Sequence, residues 1–455
     1  MKLYPYQEEG AEWLASRKYG LLADEMRLGK TPQAIVAADR INAQRILVPC
    51  PAVASTNWSR EFAKFSSRTR SISVFLSGSQ AKTVPDADIL ICSYDLTQNR
   101  DIASRLRARR YDVLILDESH YLKSPDAART KAVLGLTGLV HLASRVWCLT
   151  GTPAPNHSAE LWTTLRVFGR YSKGYDAFVS EFCETRATPY GVKIIGNKNV
   201  AQLRELLNPI MLRRTKAQVR PDLPQATYTD VVVEASKLST DDLAIAFQSY
   251  IGDPRGWKGF SADVAAQKAM FDEQFNAAIT EADKLAVLER TMKSVATLRR
   301  YVALLKVRAL TDLVSQELDN GLDKIVIFAL HKATIDGLHD GLAKYGAVKL
   351  YGGTNPARRD RNLDRFNNDP KCRVFIGQIH ACGVAISLAK GASDVLFAEY
   401  DWVPMNNAQA AARVDGPEQT NPIFVRFAVL AGSIDEHVAR TVARKTKDLA
   451  QIFDA

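Results

Sequence analysis

Residues Tyr111–His120 read YDVLILDESH. The apolar run Val113–Leu116 has the character of a strand covered on both faces, and it ends abruptly in Asp117-Glu118-Ser119-His120. Strands of that kind belong to parallel sheets flanked by helices, and a carboxylate at their C-terminal end stands where open α/β sheets bind ligands. Comparable runs flank it at Ile46–Val48, Ile89–Ile91 and Val146–Leu149. A second series follows at Ile325–Phe328, Val374–Ile376, Val395–Phe397 and Phe424–Leu430. Stretches with helical spacing lie between the runs. The alternation predicts an α/β fold with two parallel-sheet lobes.

The segment between the two series has a different pattern. Over about 236–320, Leu285, Leu288, Met292, Val295, Val302 and Leu305 recur at three- and four-residue steps, which predicts helix. Thr280–Asp283 (TEAD) has the form of a capping box, and Gly321 that of a helix stop. Gly252, Pro254, Gly256 and Gly259 mark an irregular break before it. The expected organisation is an N-terminal lobe over 1–225, a helical insertion over 226–321 and a C-terminal lobe over 322–455.

Composition narrows the class. The 455 residues include 60 Lys and Arg against 50 Asp and Glu, a net charge of +10 that favours polyanionic partners only weakly. Apolar residues at 46% are enough for sizeable cores and exclude a mostly disordered chain. No run approaches the length of a membrane span, and the N-terminus MKLYPYQEEGAEW lacks the apolar core of a secretory signal. The six cysteines form no CxxC pair, so neither a zinc motif nor a disulfide framework is expected, and an intracellular, reducing compartment fits.

Two further motifs give the DESH strand its meaning. Ala23–Thr31 reads ADEMRLGKT, and Gly29-Lys30-Thr31 is the phosphate-cradling end of a P-loop. Asp24 stands where the full pattern has its first glycine, so taken alone the tripeptide also reads as a helix start after a loop. Combined with Asp117-Glu118 in an α/β chain, it reads as a nucleotide site for ATP and Mg²⁺. Asp24, Glu25, Met26, Arg27, Leu28 and Gly29 form the loop. Lys30 reaches the β- and γ-phosphates, and Thr31 and Asp117 hold the metal. Glu118 polarises the attacking water. The third motif, Leu149–Asn156 (LTGTPAPN), follows strand Val146–Leu149, and its small hydroxyl residues are placed to couple the nucleotide site to a second ligand.

The ordered set LYPYQEEGAEWL, LADEMRLGKT, ILVPCPAVASTNWSREFAKF, ICSYDL, LILDESHYLKS, LTGTPAPN and MLRRTKAQV resembles the Swi/Snf branch of the superfamily 2 helicase-like ATPases. KIVIFALHKATIDGL, LYGGTNPARRDRNLDRFN, ACGVAISLAKGASDVLFAEYDWVP and QAAARVDGPEQ continue the resemblance to the C-terminal end. VLFAEYDWVP with QAAARV is most similar to the annealing-helicase subgroup. The resemblance implies two RecA-like lobes and an ATP-dependent translocase on duplex or forked DNA, one that remodels or reanneals DNA or displaces bound protein. It puts Gln7 on the adenine base, and Gln409 and Arg413 at the γ-phosphate. By motif match it assigns nucleic-acid contacts to Asn57, Trp58, Ser93, Tyr94, Thr152 and Arg214.

The chain departs from the family pattern at several positions. Arg27 stands where a glycine is usual, Asp415 and Gly416 replace a His and a second Arg, and Ala385 and Ser387 replace Gly and Asn. Loss of the second cation leads to an expectation of slow turnover. Two alternatives to a translocase therefore stay open: a nucleotide-gated DNA clamp with weak hydrolysis, and a strand-separating helicase. The clusters Arg105/Arg107/Arg109/Arg110 and Arg358/Arg359/Arg361/Arg365 are further basic candidates. The latter is interleaved with Asp360 and Asp364 and reads better as a solvated, ion-paired face.

Overall fold

The computed structural model describes residues 2–75, 86–188, 191–222, 226–234, 273, 277, 292–382, 386–415, 419–431 and 433–453. They fall into two compact units. The first comprises Met1–Leu223, Val403–Met405 and Arg444–Ala455, and the second Pro224–Trp402 and Asn406–Ala443.

In the first unit seven strands form one sheet in the order β3-β4-β2-β5-β6-β1-β9, with every recorded neighbour parallel. They are β1 (Tyr19–Leu22), β2 (Ile46–Cys50), β3 (Ile72–Phe75), β4 (Ile89–Ser93), β5 (Tyr111–Asp117), β6 (Ala143–Leu149) and β9 (Met211–Leu212). Every residue of β2 and β4 is buried, as the unbroken apolar runs require of strands covered on both faces. Strands β7 (Cys183–Thr188) and β8 (Gly191–Asn197) pair separately as an antiparallel hairpin. The register places Leu22 of β1 beside Leu149 of β6, and Leu149 beside Asp117 of β5. The three motif-bearing loops therefore leave neighbouring strands at the same edge of the sheet.

The second unit holds a six-stranded parallel sheet in the order β10-β15-β14-β11-β13-β12. Its strands are β10 (Ala226–Val233), β11 (Ile325–Ala329), β12 (Val348–Leu350), β13 (Val374–Gln378), β14 (Asp394–Phe397) and β15 (Ile423–Leu430). Each unit has its own apolar core. All eight strand segments expected from the sequence are strands here.

The middle of the chain requires corrections. Residues 226–233, expected within a helical insertion, form the edge strand β10, paired with β15 over its whole length. Helix Met292–Asp319 is present, and Val302, Leu305, Leu310, Val314 and Leu318 bury its apolar side in the core of the second unit. Gly321 follows its end at φ 104, and the Leu322 amide closes the last turn on the Glu317 carbonyl at 2.9 Å. Thr280–Asp283, Leu285, Leu288 and the break at 252–259 lie outside the described residues. Residues 444–455, expected in the C-terminal lobe, group with the first unit, where Ile452 is buried in the apolar core. No helix among the described residues is long and apolar enough to cross a membrane. All six cysteines are buried and free.

Candidate nucleotide site

Strand β1 feeds a loop that turns twice through left-handed backbone, at Arg27 (φ 69) and Gly29 (φ 72), before helix α2 (Lys30–Arg40) begins. A Cβ at Gly29 would stand 2.4 Å from Gln7 Nε2, so only glycine fits both the backbone angle and the space. Gln7 lies in helix α1 (Pro5–Ser16) and holds the loop by donating from Nε2 to the Leu28 carbonyl at 3.2 Å. Lys30 Nζ donates to the carbonyls of Asp24 at 2.8 Å and Glu25 at 3.3 Å. Burial lowers the Lys30 pKa, while the carboxylates of Glu118, Asp24 and Asp117 oppose that effect. Gly151, in the third motif, is a second close approach: a Cβ there would meet Met26 Cγ at 2.7 Å and Lys30 Nζ at 3.5 Å. The end of β6 thus presses against the loop through a residue with no side chain.

Asp117 is the last residue of β5. Trp58, on helix α3 (Ser55–Phe65), donates from its indole Nε1 to Asp117 Oδ2 at 2.8 Å, and the Glu118 amide donates to Oδ1 at 3.1 Å. Tyr94, directly after β4, donates its hydroxyl to the Asp117 carbonyl at 2.7 Å. Burial, reinforced by adjacent Glu118, pushes the Asp117 carboxyl up to about 7. Glu118 takes φ 48, which ends the strand sharply. His120 Nδ1 stands 3.2 Å from Glu118 Oε2 and 3.1 Å from Thr150 Oγ1. Thr150 Oγ1 in turn donates to the Thr152 carbonyl and accepts the Thr152 amide, both at 3.1 Å. An unbroken polar chain therefore links the DESH motif to the TGT motif.

The structure redistributes the residues read for nucleic acid. Arg214 is buried, not presented to a phosphate. Its Nε donates to Asp24 Oδ1 at 3.0 Å, and Nη2 donates to Asp24 Oδ2 at 2.6 Å and to Gln33 Oε1 at 2.9 Å. The buried Asp24, standing at the first-glycine position of the P-loop pattern, is thus held by a cation delivered from just after β9. Trp58 and Tyr94 are 1% and 2% exposed, and their polar atoms are engaged by Asp117. Ser93 is buried, with its hydroxyl oxygen accepting the Leu96 amide at 3.3 Å. The side chains of Trp58, Tyr94 and Arg214 thus brace the loop after β1 and the Asp117 carboxylate, whereas Ser93 caps the turn at Leu96. Of the six, Asn57 alone is exposed, on the face of α3 that also carries Arg60 and Lys64, and Thr152 is half-buried.

Gln33 was not singled out by the sequence. It is fully buried and donates from Nε2 to Asp24 Oδ2 at 3.0 Å and to the Gly29 carbonyl at 3.2 Å. A polar residue next to the apolar run Ala34, Ile35, Ala37, Ala38 of α2 was the available signal.

Gln409 and Arg413 belong to the second unit and are buried there; Arg413 Nε donates to the Gln409 carbonyl at 3.0 Å. Gly416 and Ala385 lie outside the described residues, and Ser387 accepts Asn367 Nδ2 on its carbonyl at 3.1 Å. In the first basic cluster Arg105 and Arg107 are exposed, whereas Arg109 pairs with Asp86 and Arg110 donates to the His141 carbonyl. Arg358, Arg361 and Arg365 are exposed on helix Pro356–Asn368 with Asp360 and Asp364, a solvated face.

The donor set fits Mg²⁺ and a nucleotide. Among the described residues no group of three or more His, Cys, Asp and Glu side chains can hold a metal by itself. One carboxylate (Asp117) and one hydroxyl (Thr31) is the small oxygen set that Mg²⁺ uses when phosphates and water complete its shell. The two glycine approaches, each of which a Cβ would fill, leave bare backbone beside Lys30.

Residues 6–241 match the profile of the SNF2-related domain, and residues 305–415 match that of the helicase conserved C-terminal domain. The chain is 30% identical over 457 residues to the SWI/SNF-related matrix-associated actin-dependent regulator of chromatin subfamily A-like protein 1 of Xenopus tropicalis, covering 99% of this chain and 45% of that protein. It is 26% identical over 460 residues to the DNA annealing helicase and endonuclease ZRANB3 of Mus musculus, covering 98% of this chain and 40% of that one. The chain thus spans less than half of either relative. The SWI2/SNF2 ATPase core of Sulfolobus solfataricus in complex with dsDNA aligns at 23% identity with a TM-score of 0.45, covering 100% of this chain and 97% of that one.

Proposed function

The chain belongs to the SNF2-related family of helicase-type ATPases, and from that premise we propose that it hydrolyses ATP to drive translocation along double-stranded or forked DNA. The observation that carries this reading is the meeting of three motifs at one sheet edge. The Lys30 ammonium sits in the loop after β1 under the influence of Asp117 and Glu118 at the end of β5, with Gly151 from the end of β6 against it.

In this reading Gln7 contacts the adenine base. The loop after β1 and the N-terminus of α2 receive the phosphates, as helix N-termini favour anions. Lys30 exchanges its two carbonyl partners for phosphate oxygens. Thr31 and Asp117 hold Mg²⁺, which when bound screens phosphate charge. Glu118 orients the attacking water, and the His120–Thr150 hydrogen bond ties the segment after Glu118 to the third motif. The family resemblance alone makes Arg413, with Gln409, the candidate cation for charge developing in the transition state; such a group is worth roughly 10³–10⁵ in rate. Nucleic acid is taken up through exposed polar groups such as Asn57 and half-buried Thr152. Remodelling or reannealing of DNA and displacement of bound protein are the outputs that suit a duplex translocase.

The test is steady-state ATP hydrolysis without nucleic acid, with single strands, with blunt duplex and with a fork, taking Lys30→Ala as the blank. Stimulation by duplex or fork that is lost in the blank supports the translocase. Nucleotide binding with no turnover under any condition moves the reading to a nucleotide-gated DNA clamp. Product separation on a forked duplex, without ATP-dependent displacement of a third strand, moves it to a strand-separating helicase.

A further inference from the structure

We propose that Trp58 and Tyr94 are positioning residues that set the Asp117 carboxylate for its metal, and that through them helix α3 and the end of β4 act on the hydrolytic site. The inference rests on the nucleotide-site reading above and deepens it.

The geometry is specific. Asp117 is clamped at three atoms: Oδ2 by the Trp58 indole N–H at 2.8 Å, Oδ1 by the Glu118 amide at 3.1 Å, and the carbonyl oxygen by the Tyr94 hydroxyl at 2.7 Å. An indole N–H donates only, so Trp58 cannot itself ligate a cation. It occupies one lone pair of Oδ2 and fixes the plane of the carboxylate, leaving the remaining lone pairs oriented. Each carboxylate oxygen accepts one bond from the protein and retains capacity for a further partner.

Packing alone does not require this arrangement. A phenylalanine would fill most of the volume of either ring, and a buried indole or phenol needs only a backbone carbonyl as partner. Here Trp58 meets the carboxylate itself, and Tyr94 the backbone of the same residue. Supporting partners of this kind orient a metal ligand, and their loss typically costs 10- to 100-fold in metal affinity or activity. Trp58 and Asn57 are consecutive on α3, one 1% exposed and the other exposed beside Arg60 and Lys64. One helical turn therefore carries both the hydrogen bond to the catalytic carboxylate and the polar groups offered to solvent.

The test measures binding of a fluorescent ADP analogue to the full chain, with Mg²⁺ and with chelator, for the wild type, Trp58→Phe, Tyr94→Phe and Asp117→Asn. Tyr94→Phe keeps the ring and loses one donor, whereas Trp58→Phe loses the donor together with the pyrrole part of the indole. In Trp58→Phe the gain in affinity from Mg²⁺ is expected to fall about tenfold, with affinity in chelator unchanged. Tyr94→Phe should move in the same direction by less, and Asp117→Asn should remove the gain. An unchanged Mg²⁺ gain in both variants overturns the proposal. So does an equal loss of affinity with and without Mg²⁺, which is the result of a packing role. Thermal melting establishes that each variant is folded; if Trp58→Phe is not, Tyr94→Phe decides on the same readout. A wild type that binds the analogue without any Mg²⁺ gain counts against the nucleotide-site reading instead.

Discussion

At the scale of the residue, Arg27 and Asp117 each hold an unfavourable state. Arg27 occupies φ 69 in the phosphate loop, a region that costs an L-residue with a Cβ roughly 1–2 kcal/mol. Arg27→Gly is therefore expected to raise stability by about 1 kcal/mol, read as a higher denaturant midpoint at unchanged m-value. Asp117 is raised to about 7 by burial and by Glu118, against roughly 3.9 in an unfolded chain. A carboxyl raised on folding stabilises most below the unfolded pKa, and that contribution is lost as pH rises through the folded pKa. In metal- and nucleotide-free protein, Asp117→Asn should then be the more stable form above pH 7. The advantage should disappear below about pH 4. Equilibrium unfolding across that range checks it, and a difference that grows on acidification would contradict it.

At the scale of the element, the long helix Met292–Asp319 is latched to the second sheet by an ion pair as well as by apolar contacts. Lys306 is 1% exposed and donates to Asp435 Oδ2 at 2.6 Å and to the Ala428 carbonyl of β15 at 2.8 Å. Breaking a buried pair leaves an uncompensated charge, which costs about 3–5 kcal/mol, whereas replacing both partners by apolar groups of similar volume is often neutral. Asp435→Ala should destabilise by that amount, and Lys306→Met with Asp435→Leu should recover most of it. Chemical denaturation of the two variants separates the outcomes. The same scale explains two differences from the expectations. The strand Ala226–Val233 reads ATYTDVVV, and five of its eight residues are exposed at the sheet edge. Half-exposed polar strands carry little periodic signal, so the helical insertion was extended over them. Strands β1, β9 and β12 are four, two and three residues long, too short for a pattern.

At the scale of the whole molecule, the net charge of +10 does not by itself direct nucleic acid to one face. Several basic side chains read as available are engaged within the protein, Arg214 by Asp24 and Arg109 by Asp86. Those left exposed include Arg60, Lys64, Arg105 and Arg107, and under the proposed function they set the salt dependence of DNA binding. Each neutralised phosphate contributes a slope of about −0.9 in log K against log salt. A duplex substrate should give a slope of about −3 or steeper, measured by anisotropy between low and moderate salt. A flat dependence would argue against DNA as the substrate.

What the sequence determined by itself is what depends on neighbours along the chain. Buried strands were legible because full burial demands unbroken apolar runs. The loop after β1 and the Asp117–Glu118 pair at the end of β5 could be located because each is a run of adjacent residues. Which motifs become neighbours was decided by the tertiary structure, through the strand order β5-β6-β1 and a register that pairs Leu149 with both Leu22 and Asp117. The tertiary structure also decided the roles of Trp58, Tyr94 and Arg214. Each carries a polar group that is equally able to meet a phosphate in water or a carboxylate inside the fold. The choice between those partners is made by burial, a property of distant segments packing together that no local pattern encodes.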